Sequence, residues 1–334
     1  MRNRSKALTA AETLLMFLLA FFVSYYNIFY SFDNLLRDRL YQQHRGINNK
    51  IKILAIDDKT LQEIGPFGTW SREVYADVIN RLGEYPAVIS LDIMIFGDMD
   101  AQGDEALKEA CEKSGRVVAG SYINYNTAYK TDENGKPYID HFNISEIEQP
   151  IIADAVKTGF VNSAPDDDGI VRSVLLSAEK DGTVYKSFAA QTYSAYCEFL
   201  GMNENVPALD SSGRMWINYA GKPSDYEHIP LCSLLDGSVD PKIFTDCIVM
   251  VGAYASGLQD QFSVPGCADQ MFGAEIHANI IQGMIDGKYP VPVGRAFSAL
   301  AAAAIAGCVY ILSRKLRMKI STPVVIVTAA GCIG

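Results

Sequence analysis

Residues 51–58 read IKILAIDD, in which five of the first six side chains are apolar and two aspartates follow. The run does not alternate, so it predicts a strand buried on both faces, as the strands of parallel sheets are. Working outward, Arg72–Leu82 has the spacing of an amphipathic helix, and Ala87–Ile93 (AVISLDI) is a second buried run. Asp104–Ser114 reads as the next helix and Arg116–Tyr122 as a third strand. Strand, helix, strand, helix, strand predicts a parallel sheet flanked by helices. Beyond it we expect a polar loop over Asn124–Asp140, a short helix near Ile151–Lys157, and a continuation through Gly159–Asn162. Antiparallel strands over Ile170–Ala178 and Thr183–Tyr185 then surround an Asp181-Gly182 turn. Ser187 can cap a helix that runs to Leu200, Met215–Tyr219 and Cys247–Gly252 read as further strands, and Gly287 stops a helix over Gly273–Asp286. The expected class is α/β, a mostly parallel sheet flanked by helices with an antiparallel insertion, joined to transmembrane helices.

The flanks of this region differ from it in charge. The chain has 334 residues and a net charge of −10, from 29 Lys and Arg against 39 Asp and Glu. Of these, 38 acids but 21 bases lie between Ser31 and Pro292, while both ends are basic. An acidic middle between basic ends argues against a nucleic-acid partner and for a lipid bilayer. Thr13–Phe32 is uncharged over 20 residues, long enough for a helix to cross the hydrocarbon core. It exceeds the apolar region of an ordinary signal peptide and lacks an Ala-x-Ala site, so an uncleaved anchor is expected. A second crossing is expected over 293–313, and Arg314, Lys315, Arg317 and Lys319 crowd the turn at 314–319 that follows. Basic loops mark the cytoplasmic side. Residues 1–12 are then inside and 33–292 outside in a multi-pass protein of the cell membrane. The uncharged stretch 320–334 is too short to finish a crossing, which predicts that the chain is the front part of a longer protein. Ala299, Ala303 and Gly307 recur every fourth position and suit a helix–helix contact, here expected in a homodimer.

Seven cysteines without close pairs argue against a disulfide scaffold or a zinc ribbon. Ligands collect beyond the carboxyl ends of strands in open parallel sheets. Asp57, Asp58 and Asp92 stand there, and converging carboxylates suit a divalent cation as cofactor. The same residue types also cap helices and turns. Asp166-Asp167-Asp168-Gly169 lacks the spacing of a calcium loop and reads as a turn. Glu275, His277 and Asn279 lie close together on one predicted helix, where Glu275 and Asn279 share a face and could line a pocket or simply pack. No phosphate loop, no G-x-G-x-x-G and no G-x-S-x-G occurs, and no catalytic residue is assigned.

The order of short motifs is familiar. Ile53–Asp58, Ile64-Gly65 with Trp70-Ser71-Arg72, Asp92–Phe96, Gly159–Asn162 and Asp168–Arg172 follow one another. Ile217–Gly221, Ile248–Gly252, Gly257–Pro265 and Gly273–Asn279 continue the series. This sequence resembles the CHASE domain of the second type, an extracellular sensory domain associated with cyclases and histidine kinases. It departs from the family's usual WPW-like run at Pro66–Trp70. The resemblance implies the input portion of a bacterial transmembrane receptor, with a small molecule or cation as the exterior ligand. The output it implies is cytoplasmic, most often a class III adenylate or guanylate cyclase. The candidate ligand-binding set is Asp57, Asp58, Asp92, Asp260, Glu275 and His277. The alternative is a membrane-anchored, metal-assisted exterior hydrolase built on Asp57, Asp58 and Asp92.

Overall fold

The computed structural model describes residues 2–41, 46–98, 100–131, 137–163, 165–290 and 293–315. The expectations for 320–334 and for most of the turn at 314–319 lie outside the described residues. In chain order the first elements are α1 (Arg2–Tyr25), α2 (Tyr30–Tyr41), β1 (Ile51–Ile56), α3 (Asp58–Ile64), α4 (Glu73–Leu82) and β2 (Val88–Asp92). They are followed by α5 (Ala101–Ser114), β3 (Val117–Thr131), β4 (Pro137–Glu148), β5 (Lys157–Phe160), β6 (Ser173–Leu175), β7 (Ser177–Lys180) and β8 (Thr183–Lys186). The remainder comprises α6 (Phe188–Leu200), β9 (Arg214–Trp216), β10 (His228–Pro230), α7 (Leu231–Leu235), β11 (Ile248–Ala253), α8 (Gly273–Asp286) and α9 (Arg295–Lys315). The chain divides into two units, residues 43–290 and the two flanks together.

In the larger unit the sheet runs β10-β1-β11-β2-β3 with β5 beside β3, every neighbouring pair parallel. Side chains of β1 divide between its faces, Ile51, Ile53 and Ala55 entering one core and Leu54 and Ile56 the other. That division is why the run carries no polar alternation. Helices α6 and α8 cover the first face, and α4, α5 and α7 the second. The connection after β11 therefore leads to one face and the connection after β2 to the other, although the strands are neighbours. A topological switch point lies between them, where a crevice opens at the carboxyl edge.

Asn124–Asp140 is not a loop, because β3 continues past the sheet and turns back as β4, antiparallel from Tyr122 opposite Glu148 to Thr131 opposite Pro137. Residues 132–136 lie outside the described residues. Ile151–Lys157 is not a helix but a pair of tight turns, with the Ala153 N–H donating to Pro150 and the Ala155 N–H to Ile152 before β5 begins. The hairpin around Asp181-Gly182 forms from β7 and β8, Asp181 holding φ 52° and Gly182 79°, but its first strand is Ser177–Lys180 rather than Ile170–Ala178, because Ser173–Leu175 pairs with β9 instead. Ser187 caps α6, and α8 spans Gly273–Asp286 with Gly287 left-handed after it.

Helix α8 is buried along most of its length, polar side chains included. The Asn279 Oδ1 accepts from the N–H groups of Ala220 (2.8 Å) and Gly221 (3.4 Å). The Gln282 Oε1 accepts from the Asn48 N–H at 3.1 Å and the Tyr226 hydroxyl at 2.8 Å, while its amide donates to the Gly46 carbonyl at 3.0 Å. Each buried amide is thus satisfied by backbone of a neighbouring loop, as burial requires.

In the smaller unit α1 and α9 pack along one another. Windows over Leu8–Tyr25 and Arg295–Arg314 are long and apolar enough to cross a membrane. The first helix ends at Tyr25, earlier than the uncharged run suggests, because Asn27 takes a left-handed conformation (φ 51°) before α2 starts. Ala299 and Ala303 are buried, and a Cβ on Gly307 would touch Thr13 at 3.8 Å. The small-residue stripe of α9 is therefore used against α1 of the same chain. Glu12 accepts from the Tyr310 hydroxyl at 2.7 Å and pairs with Arg314.

Candidate ligand site

At the switch point β2 ends with Asp92, which stands beside Gly252 of β11. A Cβ on Gly252 would lie 3.0 Å from the Cβ of Ala274 and 3.3 Å from that of Asp92, so the missing side chain lets α8 settle a few tenths of an ångström lower over the strand. His277, one turn beyond Ala274, is thereby brought over Asp92, with Nε2 3.9 Å from Oδ1. The Phe188 ring of α6 meets the imidazole edge-on at 5.1 Å and fixes its plane. Asp260, in the loop before α8, approaches from the third side; a Cβ on Gly273 would fall 2.5 Å from its Oδ2.

These three groups face a cavity of about 550 Å³. Its walls are largely apolar and include Phe67, Met94, Val161, Val174, Phe262 and Ile280. Among the described residues no lysine or arginine lines it. The Asp92 side chain is 9% exposed, and neither its Oδ2 nor the His277 Nδ1 has a hydrogen-bond partner. Burial pushes the Asp92 carboxyl up to about 7. Burial, reinforced by the Asp92 charge, pushes Asp260 up to about 6, although the Gly273 N–H offsets part of this. Burial pushes His277 down to about 4. All three environments favour the uncharged form.

The six candidate residues separate. Asp92, Asp260 and His277 converge, whereas Asp57 caps α3 by accepting from the Thr60 N–H at 2.8 Å, and Asp58 is exposed in the first turn. Glu275 points to another face of α8, where it accepts from the N–H groups of Ser224 (2.7 Å) and Phe272 (3.4 Å), and burial raises its carboxyl above the ordinary range. Among the described residues no three histidine, cysteine, aspartate or glutamate side chains form a group that could hold a metal ion. Asp166 and Asp168 both accept from the buried Arg172 guanidinium, at 2.9 and 2.8 Å, which makes their turn an arginine-clamped corner. The described cysteines are free thiols.

Sequence reasoning missed the apolar walls. Gly273, Ile276 and Ile280 sit three and four residues apart on α8 and share the cavity-lining face, so helical spacing carried that signal. Arg72, buried beneath the rim, donates to the carbonyls of Phe96 (2.8 Å) and Gly97 (2.7 Å) and pairs with Asp104. It fixes the loop that presents Ile93 and Met94 to the cavity.

Comparison with known proteins agrees with the order of motifs. No curated protein and no solved structure matches the chain significantly. The sequence profile of the CHASE2 domain, a sensory domain of membrane signalling receptors, matches residues 13–312. The chain belongs to the CHASE2 domain family.

Proposed function

We propose that this chain is the sensory input portion of a bacterial transmembrane receptor, multi-pass in the cell membrane, with residues 33–292 outside. A small molecule binds at the carboxyl edge of the sheet and regulates a cytoplasmic output of the class III cyclase type. The observation that carries this reading is the cavity at the β11–β2 switch point, apolar in its walls and lined at one end by polar groups without partners. Its volume falls in the range of small-molecule sites. The family supports a sensory role, and the two apolar helices with basic flanks support the membrane placement.

For the domain to signal, its ligand must bind two states unequally, and about 1–3 kcal/mol of coupling is ordinary. Joining a class III cyclase catalytic domain after Lys319, in the basic turn read as cytoplasmic, provides a readout in cells. Pools of small solutes are expected to change cyclic nucleotide output several-fold, and Ile280→Trp, which fills the cavity, is expected to remove the response while the protein still reaches the membrane. A response that persists in Ile280→Trp overturns the assignment of the cavity as the sensory site.

A further inference from the structure

The cavity has one polar end and apolar walls, and its polar end carries carboxylates with no lysine or arginine beside them among the described residues. We propose that the ligand is a compact amine, its protonated nitrogen held between Asp92 and Asp260 and its hydrocarbon body packed against Phe67, Met94, Val161, Val174 and Phe262. The proposal rests on the sensory reading of the same cavity and names the chemistry that reading leaves open.

Four observations favour an amine over the other classes. An anion would meet two carboxylates without a compensating lysine or arginine in the lining, and burying an unpaired charge is costly. A calcium ion wants six to eight oxygens where two carboxylates share the space with hydrocarbon, and among the described residues no three histidine, cysteine or carboxylate side chains are grouped to hold a metal ion. A neutral alcohol has a single O–H, enough for the buried, unpartnered Asp92 Oδ2 but not for Asp260 as well, and it brings no charge to offset two carboxylates. A protonated amine supplies up to three donors and the missing charge at that point. The acidic exterior region, with 38 acids against 21 bases, also draws cations toward the domain.

Binding in this form is linked to protons. The titratable groups facing the nitrogen are Asp92 from β2, Asp260 from the loop before α8, His277 from α8 and Tyr122 from β3. Protons compete with the amine for Asp92 and Asp260, which burial raises to about 7 and about 6, so affinity rises with pH through that interval. His277, which burial lowers to about 4, stays neutral there and can accept from the same nitrogen.

The test uses the full chain in phosphatidylcholine nanodiscs, with empty nanodiscs subtracted, titrated calorimetrically with cyclohexylmethylamine, cyclohexylmethanol and cyclohexanecarboxylate. These probes share a hydrocarbon body and differ in the head group. Above pH 7 the amine is expected to bind at least about ten-fold more tightly than the alcohol, and the carboxylate not at all. Near pH 5 the amine is expected to weaken by about ten-fold. Asp92→Asn and Asp260→Asn should each reduce the preference for amine while leaving binding of the alcohol. An alcohol that binds as well as the amine, no binding of the amine, or a preference that survives in both variants overturns the proposal. If the alcohol or the carboxylate binds instead, the amine assignment falls and the sensory cavity stands. If the cyclase fusion still responds with Ile280→Trp, the sensory cavity itself falls.

Discussion

The Asp92 carboxyl gives folding a measurable pH dependence. Its ordinary value is 3.8 and burial raises it to about 7 in the fold. Between those values the folded form keeps a proton that the unfolded chain releases, so this group contributes stability at low pH that is lost as pH rises through about 7. Asparagine mimics the protonated acid and loses nothing. Asp92→Asn is therefore expected to match the parent near pH 4 and to exceed it near pH 8 by an amount of order 2–4 kcal/mol, read as a shift in Tm. Equal pH profiles for the two proteins would show that Asp92 is solvated. His277 acts with the opposite sign, since its depressed value means stability is lost as pH falls from 6.5 to about 4. Asp57 and Asp92 look alike in the sequence, each at the carboxyl end of a buried run. What separates them is distance to the next helix: α3 begins at Asp58 and takes Asp57 as its cap, whereas α5 is capped by Asp100, leaving Asp92 to face the cavity. The sequence could place Asp92 at a strand end, but its meeting with His277 depends on Gly252 and Ala274 permitting close packing 160 and more residues away.

Helix α8 combines two tasks in a single 14-residue element. Gly273, Ile276, His277 and Ile280 line the cavity, while Glu275, Asn279 and Gln282 accept from backbone of surrounding loops. Asn279→Ala leaves the buried N–H groups of Ala220 and Gly221 without their acceptor, and is expected to cost about 1–3 kcal/mol in denaturant unfolding. A change within a few tenths would mean that water replaces the amide. This helix was legible from Gly273 to Asp286 because its apolar spacing, buried polar residues and terminal glycine agree. The β3–β4 ribbon was not. Its sequence from Tyr122 onward alternates polar, aromatic and small residues without a continuous apolar face, so periodicity gave no strand signal although its tyrosines and threonines favour one. The turns after Pro150 were misread for the opposite reason, since a few apolar residues imitate the start of a helix.

At the scale of the molecule, the acidic central region, the basic ends and the apolar flanks were all visible in composition. The use of the small-residue stripe on α9 was not, because spacing alone cannot say which helix fills a groove. The structure seats α1 there. Thr13→Cys with Gly307→Cys is therefore expected to form a disulfide within one chain on mild oxidation, leaving the protein at monomer mobility in denaturing gels. Cross-linking chiefly between copies would assign the stripe to a dimer. Within the larger unit, Gln282 grips the backbone at Gly46 and Asn48, the segment through which the chain enters that unit, and α8 ends only a few residues before the chain leaves it. The helix that forms part of the cavity wall is thus also bonded to the backbone where the chain enters the unit, and it lies just before the point where the chain leaves. Under the sensory reading proposed above, a ligand seated against α8 touches the one helix that is bonded to the unit's entry and near its exit in sequence, so no separate relay element is required.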